Sequence, residues 1–138
     1  MRLRYTSLEK GNFKLIEFEL QHYHQTKKNY ADYEDEIINS SSIASEIRGT
    51  QISKPTEQKA IKLVSSLHLA EMKKRIDAIE YVMGILPESK LGLLQEKYFN
   101  KRLTDYGIMQ KFNIEQATFY RYRREIIQLI ADRMGWRI

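Results

Sequence analysis

The chain has 138 residues, 42% of them apolar, a net charge of +5, two prolines, six glycines and no cysteine. That length sets a prior of one domain or two very small ones, with enough apolar residues for a core. Lack of cysteine excludes a disulfide-held scaffold, cysteine zinc fingers and thiol catalysis, and a reducing, cytoplasmic setting is expected. No apolar run approaches the ~18 residues of a membrane span, and the basic start MRLRYTSLEK lacks the apolar stretch of a signal peptide, so neither membrane nor secretion is expected. Charge is uneven. Residues 1–86 carry 13 Lys/Arg against 12 Asp/Glu, and residues 87–138 carry 10 against 6, so an acidic partner is expected to meet the last third.

Leu, Ile, Glu, Lys, Gln and Ala dominate long stretches, which predicts an all-α chain. Residues 1–38 are read as an N-terminal helical hairpin. FKLIEFELQHY sets Phe13, Ile16, Leu20 and Tyr23 in one stripe, and TKKNYADYEDEII does the same with Tyr30, Tyr33 and Ile37, with Thr26 as its cap. Residues 39–55, NSSSIASEIRGTQISKP, are read as a polar linker. Residues 56–86 predict one long central helix capped by Thr56 and closed by Gly84 and Pro87. Its Ile61, Val64, Leu67, Met72, Ile76, Ile79 and Met83 recur at helical spacing. A helix of about 45 Å needs something to pack on: the hairpin, the C-terminal module or a second copy of the chain, although four clean heptads are not present.

Residues 87–138 predict three more helices. ESKLGLLQEKYF places Leu91, Leu94 and Tyr98 on one side, a short helix covers 104–112, and the last runs from Gln116 to Met134 with Gly135 ending it. From Thr104 to Leu129 the pattern is helix, turn, helix. Thr104 caps the first helix, Asn113 tolerates the left-handed backbone of a sharp turn, and Ile114 is spaced to staple onto Phe119. Phe119, Tyr122, Ile126 and Leu129 form the expected inner face, leaving Gln116, Ala117, Tyr120, Arg121, Arg123 and Arg124 outside. Recognition helices enter the major groove with their N-terminal residues foremost. Gln pairs with adenine and Arg with guanine, and Tyr120 suits a thymine methyl or a phosphate. Gln116, Ala117, Tyr120 and Arg121 are therefore the base-contact candidates. Arg123 and Arg124, further along, are phosphate candidates, joined by Lys97, Lys101, Arg102 and Lys111 from the preceding elements.

On these residues, the segment LPESKLGLLQEKYFNKRLTDYGIMQKFNIEQATFYRYRREIIQLIADRMG resembles the fourth conserved region of sigma factors. The likeness rests on the aromatic pair Tyr98-Phe99, the Ile108-Met109 pair, and Thr118-Phe119 ahead of a basic stretch. The layout of the whole chain resembles the phage RinA/ArpU-like late-gene transcriptional regulators. It shares an N-terminal hairpin, a linker, a long helix opening Thr56-Glu57, and the run Lys97-Tyr98-Phe99-Asn100-Lys101. Asn113 replaces the family's usual Gly, and Glu115 replaces its Ser or Thr cap. The resemblance implies a sigma-like helix–turn–helix at 87–138 that binds double-stranded DNA, with Thr118 as a further backbone contact. It also implies a transcriptional activator of phage late genes working with RNA polymerase in the bacterial host cytoplasm. The N-terminal half would then dimerise or contact the polymerase. A sigma-like adaptor that binds protein without reading DNA is the alternative.

Nothing in the sequence points to catalysis. His22 and His24 face different sides of a helix, His68 has no sequence partner, and Asp32 to Glu36 lacks the glycine and spacing of a calcium loop. With no phosphate loop and no nucleophile–base pattern, no metal, cofactor or enzymatic activity is expected.

Overall fold

The structure, a computed structural model, describes residues 10–47 and 55–136, with side chains for 10–39, 59 and 61–136. Among these residues it is all-helical. The elements are α1 (Lys10–Gln21), α2 (Tyr23–Ile47), α3 (Pro55–Ile85), α4 (Glu88–Leu94, running on as a π-helical segment, Gln95–Asn100), α5 (Asp105–Phe112) and α6 (Gln116–Met134). Among the described residues no helix is long and apolar enough to cross a membrane.

The reversal expected between the first two helices is absent. Only His22 separates α1 from α2. Its N–H donates to Phe18 O at 3.0 Å and its carbonyl accepts from Thr26 N at 2.8 Å, so the helical ladder runs through the junction. Residues 21–26, QHYHQT, contain no Gly, Pro or Asn to turn the chain, and Thr26 lies inside α2 instead of capping it. The hairpin is made by α2 and α3. Tyr23 Oη donates to Glu80 Oε2 at 2.5 Å, Lys27 Nζ donates to the same oxygen at 2.7 Å, and the Tyr33 and His68 rings meet at 5.1 Å. Partner numbers fall on α3 as they rise on α2, so the pair is antiparallel. The Lys27 ammonium, then the Tyr23 hydroxyl, hold the Glu80 carboxyl below its ordinary range.

The expected linker is also shorter. α2 continues to Ile47, so residues 39–47 are helical, while 48–54 lie outside the described residues. Serine, alanine and isoleucine are tolerated in a helix that is already nucleated. α3 opens on Pro55, whose fixed φ suits a first helical turn, and Thr56 is inside the helix instead of capping it. Gly84 remains helical, and the chain turns at Leu86 and Pro87.

The core gathers buried residues from the second half of α3 together with α1, α4, α5 and α6. Ile16 and Leu20 of α1, Ile79 and Val82 of α3, Leu93 and Leu94 of α4, and Ile108 of α5 are buried there. Further up, Ile61, Leu63, Val64 and Leu67 are 67, 61, 65 and 58% exposed. The apolar spacing of α3 is thus used only from Met72 onward.

Two local features aim the C-terminal helices. In the π segment, Lys101 N–H donates to Glu96 O at 3.0 Å, five residues back, and Lys101 then adopts φ 56°. The wider turn lets adjacent aromatics serve different neighbours. Tyr98 is fully buried against α1, whereas Phe99 stacks on Tyr23 of α2 at 5.3 Å. Gly92 admits α5 closely, since a Cβ there would lie 2.8 Å from the Phe112 ring.

Candidate nucleic-acid interface

The turn between α5 and α6 is built from local signals. Thr104 caps α5, its Oγ1 accepting from Gly107 N at 3.1 Å. Asn113 ends α5 at φ 52°, ψ 51°, and the N–H groups of Asn113 and Ile114 donate to Gln110 O and Met109 O at 3.2 and 2.9 Å. That is the left-handed helix ending that Asn accepts more readily than other side chains. Ile114 packs on the core and Phe119 is fully buried, at the two positions of a hydrophobic staple. Glu115 opens α6 with extended backbone, and its side chain makes no capping hydrogen bond.

α6 buries Phe119, Ile126, Ile127, Ile130, Ala131 and Met134. Leu129, expected inside, is exposed, and Tyr122 is half-buried with Lys90 Nζ 5.2 Å from its ring centre. The inner face is rotated from the expected one because α6 is packed by α1, α3, α4 and α5 together. A helix touched by four neighbours buries a wider arc than one three-and-four stripe.

This rotation takes Arg123 off the outer face, which corrects its expected outward placement. Arg123 is one turn from both Phe119 and Ile126–Ile127, and its side chain is only 26% exposed. Its Nε and Nη2 donate to Oε2 and Oε1 of Glu17 at 3.1 and 3.2 Å, while Tyr98 Oη donates to Glu17 Oε2 at 2.6 Å. This fork ties α1, the π segment and α6 together. Burial, then Glu17, push the Tyr98 hydroxyl up. Burial opposes the Arg123 charge, but the Glu17 carboxylate outweighs it and raises the guanidinium pKa.

Lys97 is the second correction. Its Nζ lies 2.8 Å from Asp105 Oδ1 with the side chain 18% exposed, so it joins α4 to α5 instead of standing free for a phosphate. Lys101 is exposed but donates to Gln21 O at 3.0 Å, and Lys111 sits 3.3 Å from Glu96. Arg102 is exposed and has no ion pair among the described residues.

The remaining candidates stand where the sequence put them. Gln116, Ala117, Tyr120, Arg121 and Arg124 are exposed on the first half of α6, and Thr118 is half-buried. Arg121 is 60% exposed and, among the described residues, pairs only with Glu125 at 4.0 Å, while Arg124 has no ion pair among them. Beside them lies an open hollow of about 670 Å³ between α5 and the start of α6. Its lining includes Gln116 and Tyr120, together with Tyr106 and Gln110 of α5, which the sequence reading did not single out. Gln110 Nε2 donates to Tyr106 Oη at 3.1 Å. The available signal was the i, i+4 spacing of two polar side chains on the outer face of a capped helix. Comparison with protein-family models, curated proteins and solved structures finds no match for this chain.

Proposed function

We propose that this chain is a sequence-specific, double-stranded-DNA-binding transcriptional activator without catalysis of its own. One observation carries the reading: Gln116, Ala117, Tyr120, Arg121 and Arg124 share the exposed face of a helix whose other side is anchored in the core. Amide, ring and guanidinium groups at the leading end of a helix are what base edges in the major groove require. Action on phage late genes with host RNA polymerase, in the bacterial cytoplasm, follows from the resemblance noted above. The second reading is a sigma-like adaptor that binds RNA polymerase or another protein without DNA. The exposed Ile61, Leu63, Val64 and Leu67 favour a protein partner of some kind, polymerase or a second copy.

Mobility-shift titration against salt tests the reading. Five exposed cations, Lys101, Arg102, Lys111, Arg121 and Arg124, neutralising about five phosphates give a log–log slope near −4 to −5. Arg121→Ala weakens promoter binding and relaxes base preference, and Arg124→Ala weakens all sequences alike. If both variants bind like the parent, or the protein ignores DNA at low salt, the adaptor reading replaces this one.

A further inference from the structure

The hollow between α5 and α6 has a charge character opposite to that of the ridge beside it. Arg121 and Arg124 line the helix beyond it, yet the hollow itself contains no cation. Its titratable lining is Asp105 and Glu115, with Tyr106 and Tyr120, and its amides are Gln110, Gln116 and Asn113. Asp105 is held by Lys97 at 2.8 Å. Glu115 is exposed, makes no capping bond and has no ion pair among the described residues, so local structure leaves its carboxylate unused.

The Asp105 charge is offset by Lys97, so the unpaired Glu115 carboxylate is what disfavours a phosphate in the hollow. A base edge that presents an exocyclic amine is not disfavoured. A carboxylate accepts from cytosine N4; adenine N6 is also a donor, but its neighbouring N7 acceptor repels the second carboxylate oxygen, and guanine and thymine O4 offer only acceptors. We infer that the hollow takes base edges and not phosphates, and that Glu115 selects cytosine by accepting a hydrogen bond from its N4 amine. Gln116 reads the neighbouring base. The inference rests on the DNA reading above and adds to it the identity of one base and the residue that chooses it.

The position also predicts an unusual pair of effects. A carboxylate near the duplex lowers affinity for every sequence through repulsion, and it recovers that loss only where cytosine is present. Removing it therefore strengthens non-specific binding and erases one position of the preference.

Selection of bound duplexes from a random pool, with the wild type, Glu115→Ala and Glu115→Gln, tests this. The wild type is expected to enrich one fixed cytosine, favoured about tenfold or more over other bases. In Glu115→Ala that position becomes degenerate while binding to non-specific DNA tightens, and circular dichroism remains that of the wild type. A selected duplex carrying a cytosine analogue without its exocyclic amine loses the same factor with the wild type and nothing with Glu115→Ala. An unchanged cytosine in the Glu115→Ala pool, or none in the wild-type pool, overturns the inference while salt-dependent DNA binding stands. Failure of the wild type to bind any duplex at low salt overturns the DNA reading and the inference together.

Discussion

Between Met72 and Val82, α3 buries Met72, Ile76, Ile79 and Val82. Between Ile61 and Leu67, the same helix leaves Ile61, Leu63, Val64 and Leu67 in solvent. Val64 and Val82 are eighteen residues apart, five turns at 3.6 residues each, so they lie on the same side of the helix. The difference is in the neighbours. The second half of α3 packs on α6 as well as α2, while the first half meets α2 at the Tyr33–His68 contact. Helical spacing states which residues share a face. It does not state what stands opposite that face, and burial depends on the second fact.

Five substitutions break or sharpen this contrast. Ile79→Ala has the largest effect, a loss of about 3 kcal/mol in urea unfolding, because it opens a cavity in a fully packed site. Glu17→Ala follows at about 2 kcal/mol, since it strands the buried Tyr98 hydroxyl and unpairs Arg123 in one step. Arg123→Ala should lower stability similarly, which separates it from Arg124→Ala. The pH profile comes next. Glu80 has a lowered folded pKa, so its contribution is complete above its ordinary value of 4.5 and is lost as pH falls through the lowered value. Glu80→Gln should flatten the acid limb of the stability profile, by a small amount because the pair is solvent-screened. Smallest is Leu67→Ala, within about 0.5 kcal/mol at protein concentrations too low for self-association. Loss of more than that would mean that the first half of α3 has an intramolecular cover.

Much of the candidate interface was legible because its signals are local. A Thr three residues before Gly107, an Asn between two helical patterns, and a Gly after Met134 each act on the adjacent turn. α6 accordingly has the expected bounds, and its leading face is exposed as expected. The errors came from distance. Glu17 and Arg123 are 106 residues apart, and no periodicity on α6 announces that one of its arginines will meet a carboxylate from α1. Lys97 pairs with Asp105 across the loop after the π segment, a contact that helical spacing within α4 does not announce. The hairpin was misplaced because a polar stretch was taken for a turn, although residues 21–26 hold nothing that forces the backbone out of a helix.

The π segment acts as an angular spacer. It holds one residue more per turn than the rest of α4, and each helical residue accounts for about 100° of rotation. Deleting a single residue between Gln95 and Asn100 would let the ladder close four residues back and swing every later element through that angle about the α4 axis. The direction in which α6 points is therefore set in part upstream of it, by a count of residues, as well as by the contacts α6 makes with α1, α3, α4 and α5.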